Sequence, residues 1–319
     1  MESLFNKWRP KSFAEIVGQN AVTSVLARQI ATKTFKNCYL FCGAWGSGKT
    51  SASRVFASEV NGGFGSAIEI DGASNNGVDS IRELIDNVQQ SSIDQDYKIV
   101  VIDECQMLTN AAWNAALKLI EEPPSHCIFI FCTTEPEKLP NTILSRVQRF
   151  DFKKVPANLI QDRLEFILNE EEMGKGYDKE ALKRIAELAD GHVRDAISNL
   201  EKCVTALDYL DVKGVESVLG IPSIELMRSL GNSLIKGDLS TASGIIETLE
   251  TENSNMVKVY DQFLDYVVNT AISSINKDMK EDVRNKLMSL LERLVELRRY
   301  ADSSTATVFL KTIALEMSK

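Results

Sequence analysis

Eight consecutive residues, Gly43-Ala-Trp-Gly-Ser-Gly48-Lys49-Thr50, fit the spacing G-x-x-x-x-G-K-[ST]. Such glycines let backbone N–H groups wrap phosphate oxygens, and a helix opening directly after the loop adds positive potential. Gly43, Gly46, Ser47, Gly48, Lys49, Thr50 and Ser51 are therefore candidate phosphate-binding residues. Lys49 would neutralise the β- and γ-phosphates of a nucleotide, and the Thr50 hydroxyl would ligate Mg2+. The alternative is an ordinary glycine-rich turn, and the strand pattern before it and helical pattern after it count against that.

A second acidic element follows at Ile99-Val-Val-Ile-Asp103-Glu104. An apolar strand ending in two carboxylates places them at the carboxyl edge of a sheet, where open α/β folds bind ligands. Asp103 would hold Mg2+ through water, and Glu104 would orient the water that attacks the γ-phosphorus. Alone, such a pair is often a solvated turn; beside a phosphate loop, function is favoured. Hydrolysis is expected rather than transfer, because nothing resembles a second-substrate pocket. Thr133 and Thr134 close another strand, so one hydroxyl would face the γ-phosphate, unless they serve ordinary turn chemistry. Arg146 precedes the last strand and would reach a neighbour's nucleotide as an arginine finger. Arg194 opens a later helix and would close onto the nucleotide from above. For both arginines the alternative is surface ion pairing.

The elements that must position these residues are legible in the hydropathy pattern. Short apolar runs at Cys38–Cys42, Ala67–Ile70, Lys98–Ile102, Cys127–Cys132 and Gln148–Phe152 alternate with helical spacing such as Ile81, Leu84, Ile85 and Val88. Continuous rather than alternating apolar runs suit parallel strands buried on both faces. The expected fold is a parallel α/β sheet with helices on both faces. Past Phe152 no strand-like run survives. Short helices with breaks at Gly174, Gly176 and Gly191 lead to Gly220-Ile-Pro222, the expected joint. Longer amphipathic helices follow over Ile224–Ile235, Met256–Ile275, Glu281–Tyr300 and Thr305–Met317, with Met256, Met279, Met288 and Met317 as core fillers.

Composition bounds the rest. The 319 residues are 44% apolar and 25% charged, ordinary for globular chains, which excludes a disordered tail or a collagen-like fibre. No apolar run approaches ~20 residues, so no transmembrane helix is expected, and the amino terminus has no secretory pattern. Six scattered cysteines without a Cys-x-x-Cys pair read as reduced core thiols of a cytoplasmic protein. Only His126 and His192 occur, which argues against zinc proteases and Ser-His-Asp hydrolysis. A net charge of −9 argues against tight, indiscriminate nucleic-acid binding. The charge is uneven: residues 1–150 carry −2 and residues 151–219 carry −5. A nearly balanced first part keeps assembly-dependent DNA contact open.

Several co-linear motifs resemble the clamp-loader AAA+ ATPases. Phe5-Asn-Lys-Trp-Arg-Pro-Lys-Ser-Phe13 with Val17-Gly-Gln19 is similar to their N-terminal box. Ala73-Ser-Asn-Asn-Gly-Val-Asp79, Leu119-Ile-Glu-Glu-Pro-Pro124, Thr133-Thr-Glu-Pro136 and Leu144-Ser-Arg146 resemble the bacterial gamma/tau subunits of DNA polymerase III. The match runs from about Leu4 to Cys203, with a helical collar of similar length beyond Gly220. The resemblance implies an AAA+ nucleotide domain over 1–155 with a five-stranded parallel sheet, a helical lid over 156–219 and an all-α collar over 220–319. It also implies that Trp8, Arg9, Pro10, Val17 and Gly18 border the adenine, that Thr133/Thr134 are sensor 1 and Arg194 sensor 2, and that Arg146 acts in trans. Asn75, Asn76, Arg82, Thr109 and Asn110 would meet DNA, largely through helix N-termini and neutral amides.

The implied function is an ATP- and Mg2+-driven motor that opens a sliding clamp and places it on primer–template DNA. Copies of itself or related subunits would complete a ring-like, five-subunit assembly, with no membrane partner. An AAA+ helicase or branch-migration motor is the alternative, and a scaffold without turnover is a second rival that the intact Lys49, Thr50, Asp103, Glu104 and Arg146 oppose. Two departures stand out. The family's four-cysteine zinc module is replaced by Asn61-Gly-Gly-Phe-Gly-Ser66, so no zinc is expected and a streamlined, cellular or phage-encoded form stays open. The acidic motif reads Asp103-Glu-Cys-Gln106 where the family continues to His, and Gln106 hydrogen-bonds but cannot become cationic. The polymerase- and helicase-binding tail of the long family form is not expected.

Overall fold

Residues one apart along the central strands serve opposite faces of one sheet, and this alternation builds two cores from three strands. The computed structural model describes residues 2–89, 95–171, 176–252, 255–274 and 280–318. Five parallel strands, β1 (Cys38–Gly43), β2 (Ala67–Asp71), β3 (Lys98–Asp103), β4 (Cys127–Thr133) and β5 (Gln148–Phe152), lie in the order β2-β3-β4-β1-β5. Leu40, Val100 and Phe129 point to one core, whereas Phe41, Val101 and Ile130 point to the other. The interior strands β1, β3 and β4 are buried almost throughout. The edge strands β2 and β5 are partly exposed, because each has a partner on one side only.

The chain divides into two compact units, Met1–Asp208 and Tyr209–Lys319. In the first, α1 (Leu4–Lys7) precedes α2 (Asn20–Ala31) and α3 (Lys49–Val60), and the last two cover the Phe41 face. The helices α4 (Val78–Gln89), α5 (Asn110–Glu121) and α6 (Asn141–Leu144) cover the Leu40 face. After β5, α7 (Ala157–Glu170), α8 (Lys179–Leu188) and α9 (Val193–Ala206) pack on one another through Leu164, Ile185 and Leu200. All five strands precede residue 153.

The second unit is helical: α10 (Val212–Leu219), α11 (Ile224–Lys236), α12 (Leu239–Glu252), α13 (Met256–Ser274), α14 (Glu281–Arg298) and α15 (Ala306–Met317). Leu230, Ile246, Phe263, Leu290 and Ile313 lie in its core. The hydroxyl of buried Tyr260 donates to the carbonyl of Leu294 at 2.9 Å and ties α13 to α14. Helix α12 is absent from the sequence reading because Ser240, Thr241, Ser243 and Gly244 are weak helix formers. Asp238 accepts the Thr241 N–H at 3.1 Å and starts it, and burial of Ala242, Ile246 and Leu249 holds it. The expected break at Gly174, the end of the Met256–Ile275 helix and Met279 lie outside the described residues.

Candidate functional site

The phosphate loop joins β1 to α3. Gly48 (φ 102°) adopts the left-handed conformation that glycine tolerates. At Gly43 the reason for glycine is proximity: a Cβ there would stand 2.4 Å from the Phe152 carbonyl oxygen on β5. Lys49 is 6% exposed, and its Nζ donates to the carbonyls of Gly43 (2.9 Å) and Ala44 (3.1 Å). Carbonyl dipoles hold this cation at the loop, and no carboxylate pairs with it among the described residues.

The acidic strand end meets that loop. Thr50 Oγ1 donates to Asp103 Oδ2 at 2.6 Å, so hydroxyl and carboxylate share one point at the mouth of the sheet. Glu104 takes a left-handed backbone (φ 47°), which costs a non-glycine residue ~1 kcal/mol, and its N–H donates to Asp103 Oδ1 at 3.0 Å. The Gln106 amide links Glu104 to the end of β4. Its Nε2 donates to Glu104 Oε2 (2.5 Å) and Thr134 Oγ1 (3.2 Å), while its Oε1 accepts from Thr133 Oγ1 (2.8 Å). The two threonines thus differ: Thr133 is buried and turned to Gln106, whereas Thr134 Oγ1 lies 3.5 Å from Glu104 Oε2.

Lys49, Thr50, Asp103 and Glu104 line a cavity of about 290 Å³ at the carboxyl edge of the sheet, whereas Gln106, Thr133 and Thr134 are not among its lining residues and reach it only through Glu104. Trp8, Arg9, Pro10, Val17 and Arg194 line the same cavity. Gly18 does not line it but brings that segment close to Val155, which a Cβ would meet at 2.9 Å. Two polar atoms of the lining are buried without a hydrogen-bond partner, Ser47 Oγ and Arg9 Nε. Leaving such atoms unsatisfied costs ~1–3 kcal/mol each, a cost that an anionic ligand accepting from them would remove. The donors present therefore fit a Mg-nucleotide.

Phe5, Trp45 and Arg163 also line the cavity; the sequence places the first two inside motifs without giving them a site role and does not single out Arg163. The Arg163 guanidinium lies 5.9 Å from the Trp8 ring and 5.2 Å from Phe166, and donates to the Trp8 carbonyl at 2.9 Å. Burial pushes its pKa below the usual arginine value. The signal was available: Arg163 falls on the same helical stripe as the buried Ile160 and Ile167. Trp8 is anchored from below, its indole N–H donating to Glu171 at 2.5 Å while Lys7 pairs with the same carboxylate at 2.7 Å. Lys7, then Trp8, hold Glu171 below the ordinary carboxylate range.

Other candidates lie elsewhere on the first unit. Arg146 is not among the residues lining this cavity; it pairs with Glu121 of α5 at 2.9 Å and donates to the Thr142 carbonyl at 2.8 Å. Asn75, Asn76, Thr109 and Asn110 are exposed, and the Thr109 N–H donates to the Asn76 carbonyl at 3.1 Å, joining the starts of α4 and α5. Thr109 also caps α5 by accepting from Ala112 N–H at 3.2 Å. Arg82 pairs with Asp79 on the same helix.

The fold has solved relatives. Thermotoga maritima RuvB, a Holliday junction branch migration motor, superposes with TM-score 0.56 at 20% identity, covering 72% of this chain and 79% of that one. A single-residue variant of the same motor superposes at 0.57 and 18% identity, over 83% and 91%. At these identities the likeness speaks to fold, and together with the phosphate loop and acidic strand end it defines an AAA+ P-loop ATPase fold. Family models narrow it further. The model of the DNA polymerase III delta subunit matches residues 66–156, and that of the DNA polymerase III clamp-loader ATPase lid domain matches residues 159–205. DNA polymerase III subunit tau of Bacillus subtilis (strain 168) is 37% identical over 287 residues, and that of Escherichia coli (strain K12) 36% over 257. The alignments cover 83% and 74% of this chain but 51% and 40% of those proteins. The chain belongs to the tau/gamma clamp-loader family of DNA polymerase III, and it spans about half the length of the curated relatives it matches.

Proposed function

We propose that this chain is the ATP-driven motor subunit of a replication clamp loader. The observation that carries this reading is the convergence of Lys49, the Thr50–Asp103 pair and Glu104 on one cavity, with Arg146 outside it. Thr50 and Asp103 would hold Mg2+, largely through water, and Lys49 with the loop amides would hold the phosphates. Bound Mg-ATP supplies the electrophilic γ-phosphorus whose cleavage drives the cycle. Glu104 orients and deprotonates the attacking water, and the Gln106 amide keeps its carboxylate beside Thr134. Arg146 of one subunit completes the site of the next, so hydrolysis requires assembly.

Three parts serve that cycle: an AAA+ domain over 1–155, a lid over 156–219 and a collar over 220–319. The lid match at residues 159–205 supports the middle division. The joined starts of α4 and α5 support DNA tracking by Asn75, Asn76, Arg82, Thr109 and Asn110 once several subunits stand in a five-membered ring. ATP binding would assemble a spiral that holds the clamp open, and primer–template DNA would trigger hydrolysis and release. The work takes place in the cytoplasm; among the described residues no helix is long and apolar enough to cross a membrane.

The deciding measurement is ATPase rate with and without cognate clamp and primed DNA. Stimulation by both together supports the reading, and none overturns it. A branch-migration motor would instead assemble as closed hexamers, which native mass spectrometry distinguishes from five subunits. Lys49→Ala is expected to weaken nucleotide binding by at least about a hundredfold, since it removes the buried cation that faces the phosphates. Isothermal titration checks it. We further propose that the chain holds no zinc, because Asn61–Ser66 contains no cysteine. Metal analysis finding one equivalent of zinc per chain would contradict this.

A further inference from the structure

Arg194 sits in the first turn of α9, where the helix dipole disfavours a cation. Among the described residues no carboxylate pairs with it, although its own segment is the most acidic in the chain. The neighbouring Asp195 faces His192 Nδ1 at 3.7 Å. What holds the Arg194 guanidinium is aromatic: its centre lies 4.7 Å from the Phe5 ring and 5.0 Å from the Trp45 ring. Phe5 also carries Arg9, at 5.0 Å, whose Nε is buried without a partner. Trp45, Arg194, Phe5 and Arg9 thus form an alternating series of rings and cations along the cavity.

Aromatic faces fix a guanidinium without neutralising it, which a carboxylate would do. The position is over the phosphate loop, for a Cβ on Gly46 would lie 3.7 Å from Arg194 Cβ. Trp45 keeps an indole 48% exposed in the loop itself, at a site where a phosphate contact needs no large side chain.

We propose that Trp45 and Phe5 are positioning residues that clamp Arg194, still fully charged, over the terminal phosphate and so favour ATP over ADP. The proposal rests on the nucleotide reading of the cavity. Its thermodynamic signature is selectivity for the extra phosphate, because ADP presents less charge beneath the guanidinium. A cation–π contact of ordinary strength corresponds to about a fivefold change in affinity.

The test is isothermal titration of the full chain with Mg-ATPγS and with Mg-ADP. Trp45→Ala is expected to weaken ATPγS about fivefold and ADP less than twofold. Trp45→Phe should restore selectivity, whereas Trp45→Leu, which keeps apolar bulk without a π face, should behave like Trp45→Ala. In an Arg194→Ala background, Trp45→Ala should cost nothing more. Equal losses for both nucleotides, rescue by Leu, or additive losses with Arg194→Ala would each overturn the clamp, as would an unchanged Trp45→Ala, while leaving the nucleotide site in place. Absence of ATPγS binding by the wild-type chain would overturn the site and the clamp together.

Discussion

Arg146→Ala is expected to bind ATP within about twofold of wild type yet lose roughly a thousandfold of the hydrolysis stimulated by clamp and primed DNA. The first half follows from position: Arg146 does not line its own cavity and touches Glu121 and the Thr142 carbonyl instead. The second follows from charge. A guanidinium delivered to the γ-phosphate in the transition state stabilises charge that the ground state does not develop. The pair with Glu121 does not oppose that transfer, since both side chains are more than a third exposed and such pairs contribute ~0–1 kcal/mol. Mixing gives a sharper form of the test. Arg146→Ala and Lys49→Ala subunits are each expected to be inactive alone, but in the proposed ring a mixture would contain interfaces with an intact Arg146 facing an intact Lys49, and activity should return there. Equal ATPase rates for Arg146→Ala and wild-type assemblies would remove the trans finger from the mechanism.

Glu104→Gln should lower stimulated turnover by about a hundred- to a thousandfold while retaining ATP affinity, so that the nucleotide-bound assembly accumulates. Gln has the same shape and still accepts a hydrogen bond through its amide oxygen, so the Gln106 contact survives. What disappears is the negative charge that, in the proposed mechanism, would orient water and take its proton. Single-turnover hydrolysis and nucleotide titration on one preparation separate the two effects. A variant that turns over at the wild-type rate would take Glu104 out of the catalytic role; one that fails to bind ATP would make the carboxylate part of the binding site.

The parts of this molecule legible in its sequence are those that depend on local pattern. Interior strands declare themselves because Leu40, Phe41, Val100 and Val101 are all apolar, each serving one of two cores. The phosphate loop declares itself because β1, its glycines and α3 are contiguous. Placement beyond the local was not readable. Gln106 stood out only as a departure from the family pattern, and its bridge between Glu104 and two threonines needs β3 and β4 to be neighbours. Trp45 was one unspecified position of a motif until α1 and α9 brought Phe5 and Arg194 beside it. Arg163 is illegible for a different reason: a cation on an apolar helical stripe has the pattern of a snorkelling side chain, whereas here it is half-buried with its guanidinium 5.9 Å from the Trp8 ring.

All six cysteines are free and buried, and burial pushes Cys38 up to about 12 and both Cys42 and Cys203 up to about 11. Thiol-directed dyes react with the thiolate, of which these residues expose almost none at neutral pH. The natural chain is thus already suited to site-specific labelling without removal of its own cysteines. A single cysteine introduced at Phe64, 93% exposed between glycines, would take up a fluorophore at one defined point. The proposed ring assembly could then be followed in real time by energy transfer between otherwise unaltered subunits.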